Sequence, residues 1–155
     1  MVIKWGLLIT IIILCNLIGA IGAIWTSSDS SWYKGINKPS FNPPSWIFGP
    51  VWTLLFTLMG VSLYLVWTSS NSNIKLIALI FFVIQFFFNV AWSYFFFGLG
   101  NPLYSFIEIL FLLVLIFLTA FYFFKVNKIA GYLLIPYFLW VSFAAFLNYS
   151  ILRLN

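Results

Sequence analysis

The sequence predicts an all-α membrane protein, a single bundle of five transmembrane helices over residues 1–155. Three observations carry this. The first is solvent: 65% of the residues are hydrophobic and 6% charged, whereas a water-soluble domain carries about 25% charged residues. The second is the backbone, which in hydrocarbon must bond to itself and so forms helices or a closed barrel. Barrel strands alternate apolar and polar residues, and "IALIFFVIQFFFNVAW" does not. The third is length, because five apolar stretches each reach the roughly 20 residues that cross a bilayer.

The first span covers about 5–25. Met1–Ala23 shares features with a signal peptide (Lys4, an apolar run, small residues at Ala20 and Gly22). Its apolar run exceeds the roughly 7–15 residues of a signal core, so it reads as a helix. The second span, about 45–67, carries Pro50 in its first turn, where a missing N–H costs little. The third, about 75–97, follows "TSSNSN", and the fourth, about 102–124, opens with Pro102 after "GLGN". The fifth, about 129–152, follows "KVNK" and contains Pro136, which frees the carbonyl of Tyr132 and allows a bend. Three connections are only wide enough to reverse the chain. The fourth, residues 26–44, is longer than most connections in compact folds, and such loops often serve as lids or binding loops.

Composition excludes most chemistry. The chain has no His, one Cys (Cys15) and two acids, Asp29 in the long loop and Glu108 in the fourth span. Metal sites, an internal disulfide and any His-based triad are therefore not expected, nor is a resident cofactor. The net charge of +5 comes from seven scattered basic residues, which suits lipid headgroups rather than nucleic acid. Lys4, Lys75, Lys125 and Lys128 fall on one side of the bundle, and Lys34, Lys38 and Arg153 on the other. That balance leaves orientation open.

Polar residues inside the spans form stripes. Asn16, Gly19, Ala20 and Ala23 share a face of the first span, Gln85, Asn89, Ser93 and Phe96 a face of the third, and Tyr137, Trp140, Ala144 and Asn148 a face of the fifth. The second span offers Trp52, Phe56, Met59 and Leu63. An amide in hydrocarbon needs a partner, so these stripes face protein or a cavity. Interhelical bonding and a ligand cavity both fit. Indoles beside small residues and one or two amides suit a flat, mostly apolar ligand. Glu108 is the only acid within a span. It reads either as the proton and cation site of an exporter, or as a carboxyl that is protonated or paired with Gln85 or a Ser. Leu147, Tyr149 and Arg153 fit a proposed sterol-contact pattern, which also arises wherever a membrane helix ends in Tyr and a basic residue.

Four of the six prolines lie within "KPSFNPPSWIFGPVW". The longer stretch "WYKGINKPSFNPPSWIFGPVW" resembles the signature of the TspO/translocator protein family, also called tryptophan-rich sensory proteins or peripheral-type benzodiazepine receptors. The matching residues are Trp32, Tyr33, Lys38, Pro39, Phe41, Pro43, Pro44, Phe48, Val51 and Trp52. "QFFFNVAWSYFFF", through Gln85, Asn89 and Trp92, and "LLIPYFLWVSFAAFLN", through Pro136, Tyr137, Trp140, Phe143, Ala144, Leu147 and Asn148, resemble its third and fifth helices.

The resemblance implies a five-helix bundle that commonly dimerises. It also implies a pocket open toward the first loop for porphyrins, notably protoporphyrin IX, and for synthetic benzodiazepine- or isoquinoline-type ligands, with cholesterol a ligand of animal members. By the same resemblance the pocket residues are Ala23, Tyr33, Pro43, Trp52, Phe56, Asn89, Trp92, Trp140 and Ala144. Some bacterial members are associated with light-dependent porphyrin breakdown, for which Trp52 and Trp140 stand at the relevant positions. Many members have Trp where this chain has Phe41, a poorer electron donor. The expected function is tetrapyrrole binding in a bilayer, most simply a bacterial cell membrane, as sensor, scavenger or carrier. The rivals are photochemical porphyrin breakdown and proton-coupled export through Glu108. Pro39, Pro43 and Pro44 fix φ and remove backbone donors, which pre-stiffens a lid. Small residues of the first span, with Ala78 and Ala91 of the third, lead us to expect a homodimer.

Overall fold

A computed structural model describes residues 3–26, 31–70 and 72–155, so Asp29 lies outside the described residues. Its helices run in the order α1 (Trp5–Gly22), α2 (Ser31–Gly35), α3 (Ser45–Trp67), α4 (Asn73–Ser93, extended by a π-helical turn Tyr94–Gly98), α5 (Pro102–Val126), α6 (Lys128–Leu133) and α7 (Ile135–Leu154). No strand occurs among the described residues. Five helical stretches, with α4 and its π turn counted as one and α6–α7 as another, are long and apolar enough to cross a membrane.

The sequence signals act locally as expected, with three differences. The first span tightens after Gly22, where Ala23, Ile24 and Trp25 bond three residues back rather than four. The long connection is not all loop, because α2 forms within it. The fifth span breaks at Leu134, two residues before Pro136, whose ring nitrogen cannot donate to Tyr132. Helix starts are capped by short polar side chains: Ser72 accepts from the Lys75 N–H, Asn101 from Leu103 and Tyr104, and Asn127 from Ala130. Gly100 turns the chain between the third and fourth spans at a positive φ of 59°.

Around the bundle the spans follow the order first, second, fifth, fourth, third. α1 lies along α3 and touches α4, α4 lies along α5, and α5 packs on α6 and α7. The ring closes where α3 meets α6. There Ser62 Oγ donates to the Ala130 carbonyl at 2.7 Å. Gly60 sets the α1–α3 spacing, since a Cβ at that position would come within 2.8 Å of the Ile12 Cα.

Past the break at Leu134 the geometry changes. The α3 backbone approaches α6 closely and α7 much less, so the half of the bundle nearer residues 26–44 holds a gap between α3 and α7. Side chains bridge it. Trp52 meets Tyr137 edge-on at 6.3 Å, and Phe48 meets Trp140 at 6.0 Å.

Two polar chains tie α4 to α7 across the interior. Asn89 Nδ2 donates to the Tyr137 hydroxyl at 2.9 Å, and that hydroxyl donates to Gln85 Oε1 at 2.8 Å. Trp92 Nε1 donates to Asn148 Oδ1 at 3.1 Å, while Asn148 Nδ2 donates to the Pro102 carbonyl at 2.8 Å. Tyr137 is thus acceptor and donor at once. Tyr137→Phe should lower stability in detergent by about 1–3 kcal/mol, because both amides lose their partner. Thermal unfolding followed by circular dichroism measures this, and an unchanged midpoint would refute the assigned role.

Candidate functional site: an aromatic cavity beneath the first connection

The gap encloses a cavity of about 400 Å³ to which all five spans contribute. Eight of the residues expected at a pocket come together on its walls: Ala23, Tyr33, Trp52, Phe56, Asn89, Trp92, Trp140 and Ala144. Pro43 is not among the lining residues. It belongs to the connection above, where Asn42 N–H closes a turn onto the Pro39 carbonyl at 3.0 Å.

The wall on the α3 side is a stack. Trp52 and Phe56 lie 5.3 Å apart at an interplanar angle of 23°, and Phe56 continues onto Phe86 at 5.7 Å. Gly19 of α1 is pressed against the Phe56 ring, so that a Cβ there would overlap it. Asn16 reinforces this side by donating to Thr57 Oγ1 at 3.2 Å. Gly19 is therefore engaged within the protomer, while Ala20 stays exposed.

The connection is pinned at both ends. Tyr33 of α2 is buried against Phe96 and Phe97 of the π turn, at 6.4 and 5.3 Å. The Lys38 ammonium sits 4.5 Å above the Tyr33 ring and donates to the Ile36 carbonyl. Farther along, Asn37 and Asn155 exchange hydrogen bonds at 2.9 and 3.0 Å, which fastens the connection to the end of α7. Phe41 stacks on Phe146 at 5.2 Å. It is outside the cavity, so the Phe-for-Trp difference does not alter the cavity walls.

Asn16, Thr26, Ser45, Thr53, Asn89 and Ser93 bring polar groups to the walls. Asn89 and Trp92 are occupied by Tyr137 and Asn148. The Trp140 indole nitrogen is buried and has no acceptor among the described residues. An indole N–H can only donate, and leaving it bare costs about 1–3 kcal/mol. With a single cysteine, Cys15, and one acidic side chain described, the arrangement offers no acid–base pair. It can stack a flat molecule among its rings.

Other expectations are placed elsewhere. Leu147 is buried beside Tyr33 and Phe96, whereas Tyr149 and Arg153 face outward. The three residues of the sterol-contact pattern therefore do not share a surface. Glu108 is buried, and the pairing with Gln85 or a Ser, one of the alternatives, is not formed: Gln85 Oε1 accepts from Tyr137, while Gln85 Nε2 and both carboxyl oxygens are without partners among the described residues. Glu108 is not among the residues that line the cavity. Sequence reasoning missed Phe48, Phe97, Ile109 and Leu112 on the walls. The last two had a signal: Ile109, Leu112, Ile116, Thr119 and Phe123 recur at helical spacing and are all buried.

Comparison with known proteins agrees with this geometry. The model of the TspO/MBR family matches residues 11–154. A Tryptophan-rich protein TspO of Chlorobaculum tepidum is 43% identical over 147 residues, covering 92% of this chain and 91% of the relative. A Tryptophan-rich sensory protein of Cereibacter sphaeroides is 32% identical, covering 97% and 92%. The Translocator protein of Homo sapiens is 34% identical, covering 80% and 75%. With five spanning helices and a match over nearly its whole length, this chain is an integral membrane protein that belongs to the TspO/MBR family.

Proposed function

We propose that the cavity binds flat tetrapyrroles, protoporphyrin IX among them, and that the protein acts as their sensor, scavenger or carrier in a bacterial cell membrane. The observation that carries this reading is the gathering of seven aromatic side chains, Tyr33, Phe48, Trp52, Phe56, Trp92, Phe97 and Trp140, around one cavity. A porphyrin offers extended π faces to these rings, and benzodiazepine- or isoquinoline-type ligands offer smaller ones. A volume of about 400 Å³ falls within the roughly 300–1,000 Å³ of small-molecule sites. Relatives named for sensing and translocation support the reading.

Trp140→Ala should weaken protoporphyrin IX binding by about 1–3 kcal/mol, the scale of one stacking partner. Trp52→Phe, which keeps a ring, should be mild. Titration followed by quenching of tryptophan fluorescence reads both. A folded Trp140→Ala protein that binds like wild type would put the site elsewhere.

The second reading is light-dependent porphyrin breakdown, favoured by two indoles, Trp52 and Trp140, lining one cavity. Under illumination the pure protein with protoporphyrin IX should then yield a product with new absorbance, and Trp140→Phe should abolish it. Loss of absorbance at the same rate without protein would remove this reading.

We also propose a homodimer, on a narrower basis than the sequence offered. Ala78 is 0% exposed within the protomer, and Gly19 and Gly22 pack against Phe56 and Ser93, which leaves Ala20 and Ala23 of the first span as exposed small residues for a second copy to approach. A detergent-corrected mass of two protomers is expected, and one protomer at micromolar concentration would overturn it.

A further inference from the structure

α1 and α3 run antiparallel, and three glycines record how closely they approach along their seam. At Gly60 the helices touch, since an added Cβ would come within 2.8 Å of the Ile12 Cα. Toward the first connection the Asn16–Thr57 bond comes next, and then Gly19, pressed on the Phe56 ring. Gly49 stands about three turns from Gly60, on the same face of α3. There the contact is gone, and an added Cβ would meet nothing within 4 Å. Gly49 and Thr53 of α3, with Ala20 and Ala23 of α1, line the interior cavity, and all four are exposed. Among the described residues the seam thus holds a slot, floored by Asn16–Thr57 and Gly19–Phe56, that opens the cavity sideways toward the bilayer.

We propose that a flat, lipid-dissolved molecule enters and leaves the cavity through this slot between α1 and α3, and not past the first connection. This route rests on the tetrapyrrole reading of the cavity. Small residues between membrane helices ordinarily permit close approach, and on this seam they do so at Gly60 and Gly19 but not beyond. There Ala20, Ala23, Gly49 and Thr53 leave short walls that the thin edge of a ring system can pass. The gap costs no hydroxyl its partner, because Thr53 donates to the Gly49 carbonyl at 3.0 Å and Thr57 to the Thr53 carbonyl at 2.8 Å. The other way in is obstructed. Tyr33 on Phe96 and Phe97, Asn37 on Asn155, and Phe41 on Phe146 hold the connection in place. A solute that prefers hydrocarbon is also most concentrated beside the slot. A second copy seated on Ala20 and Ala23 covers it, so exchange belongs to the free protomer.

The test uses the full chain at one protomer per lipid nanodisc, with protoporphyrin IX as the probe. Stopped-flow quenching of tryptophan fluorescence reads entry, and transfer of the porphyrin to excess empty discs reads exit. Ala20→Ser should exchange as wild type does and Ala20→Leu more slowly. Ala20→Phe should be slowest, with entry and exit each reduced about tenfold or more, the scale of forcing added atoms into a confined space. A joint fall in both rates marks a route, whereas loss of a site contact acts mostly on exit and speeds it. Ala20 is exposed, so the series should keep its helical signal, and Ala20→Leu decides where Ala20→Phe folds poorly. Asn155→Ala, which releases Asn37, should leave both rates unchanged. Wild-type rates throughout the Ala20 series would overturn the proposal. Faster exchange in Asn155→Ala would overturn it in favour of a route beneath the connection. Absence of saturable quenching in wild type would remove the reading of the cavity itself, and the route with it.

Discussion

Hydrocarbon neither donates nor accepts a hydrogen bond, and the arrangement of this bundle follows from where its few polar side chains find partners. Gln85, Asn89 and Asn148 are each nearly or fully buried, and each could have been a liability of several kcal/mol if turned toward lipid. Tyr137 takes up Asn89 and the oxygen of Gln85, whose Nε2 stays unpaired among the described residues, and Trp92 with the Pro102 carbonyl takes up the third. These links fix the rotation of α4 and α7 about their own axes. Once that rotation is set, Trp140 and Ala144, on the same stripe as Tyr137 and Asn148, must face inward. The cavity wall is thus a by-product of satisfying amides.

The space itself has a different origin. A continuous fifth span would run alongside α3 for its full length and close the interior. Instead, the bond that Pro136 cannot make interrupts it, and Ser62 holds α6 against α3 on one side of the interruption only. α7 is then free to lean away. The π turn after α4 works in the same region: its wider turn brings Phe96 and Phe97 to Tyr33, and so seats the connection above the opening. A lid stiffened by prolines and fastened at Tyr33 and Asn37 loses little entropy when a ligand arrives.

Much of this was legible beforehand. The five spans follow from hydrophobic length, and the inward stripes of the third and fifth follow from amide spacing. Eight of nine expected wall residues meet in one cavity. What could not be read was of three kinds. Short elements such as α2 and the π turn carry no periodic signal, because five residues are too few to establish one. Partner choice was the other: Gln85 could have served Glu108 or Tyr137, and sequence spacing within a helix says nothing of which neighbour a side chain reaches. Apolar contributions from α5 escaped notice for a third reason, that in a chain so rich in Leu, Ile and Phe an inward stripe has the same composition as a lipid-facing one.

Four described side chains keep a buried polar atom without a partner: Gln85 and Trp140 a donor, Asn42 and Glu108 acceptors. Trp140 lines the interior cavity, and Glu108 an outer groove between α4 and α5 that Phe87, Ala91 and Phe111 also line. Because α4 lies between α1 and α5, its Asn89 and Trp92 face the first space while Phe87 and Ala91 face the second. The same bonds that orient α4 for the interior therefore also set the groove. Loss of the Tyr137 hydroxyl would let α4 turn, and both surfaces would change together. A substitution on the α5 side of the groove leaves that chain of bonds intact and alters one surface alone.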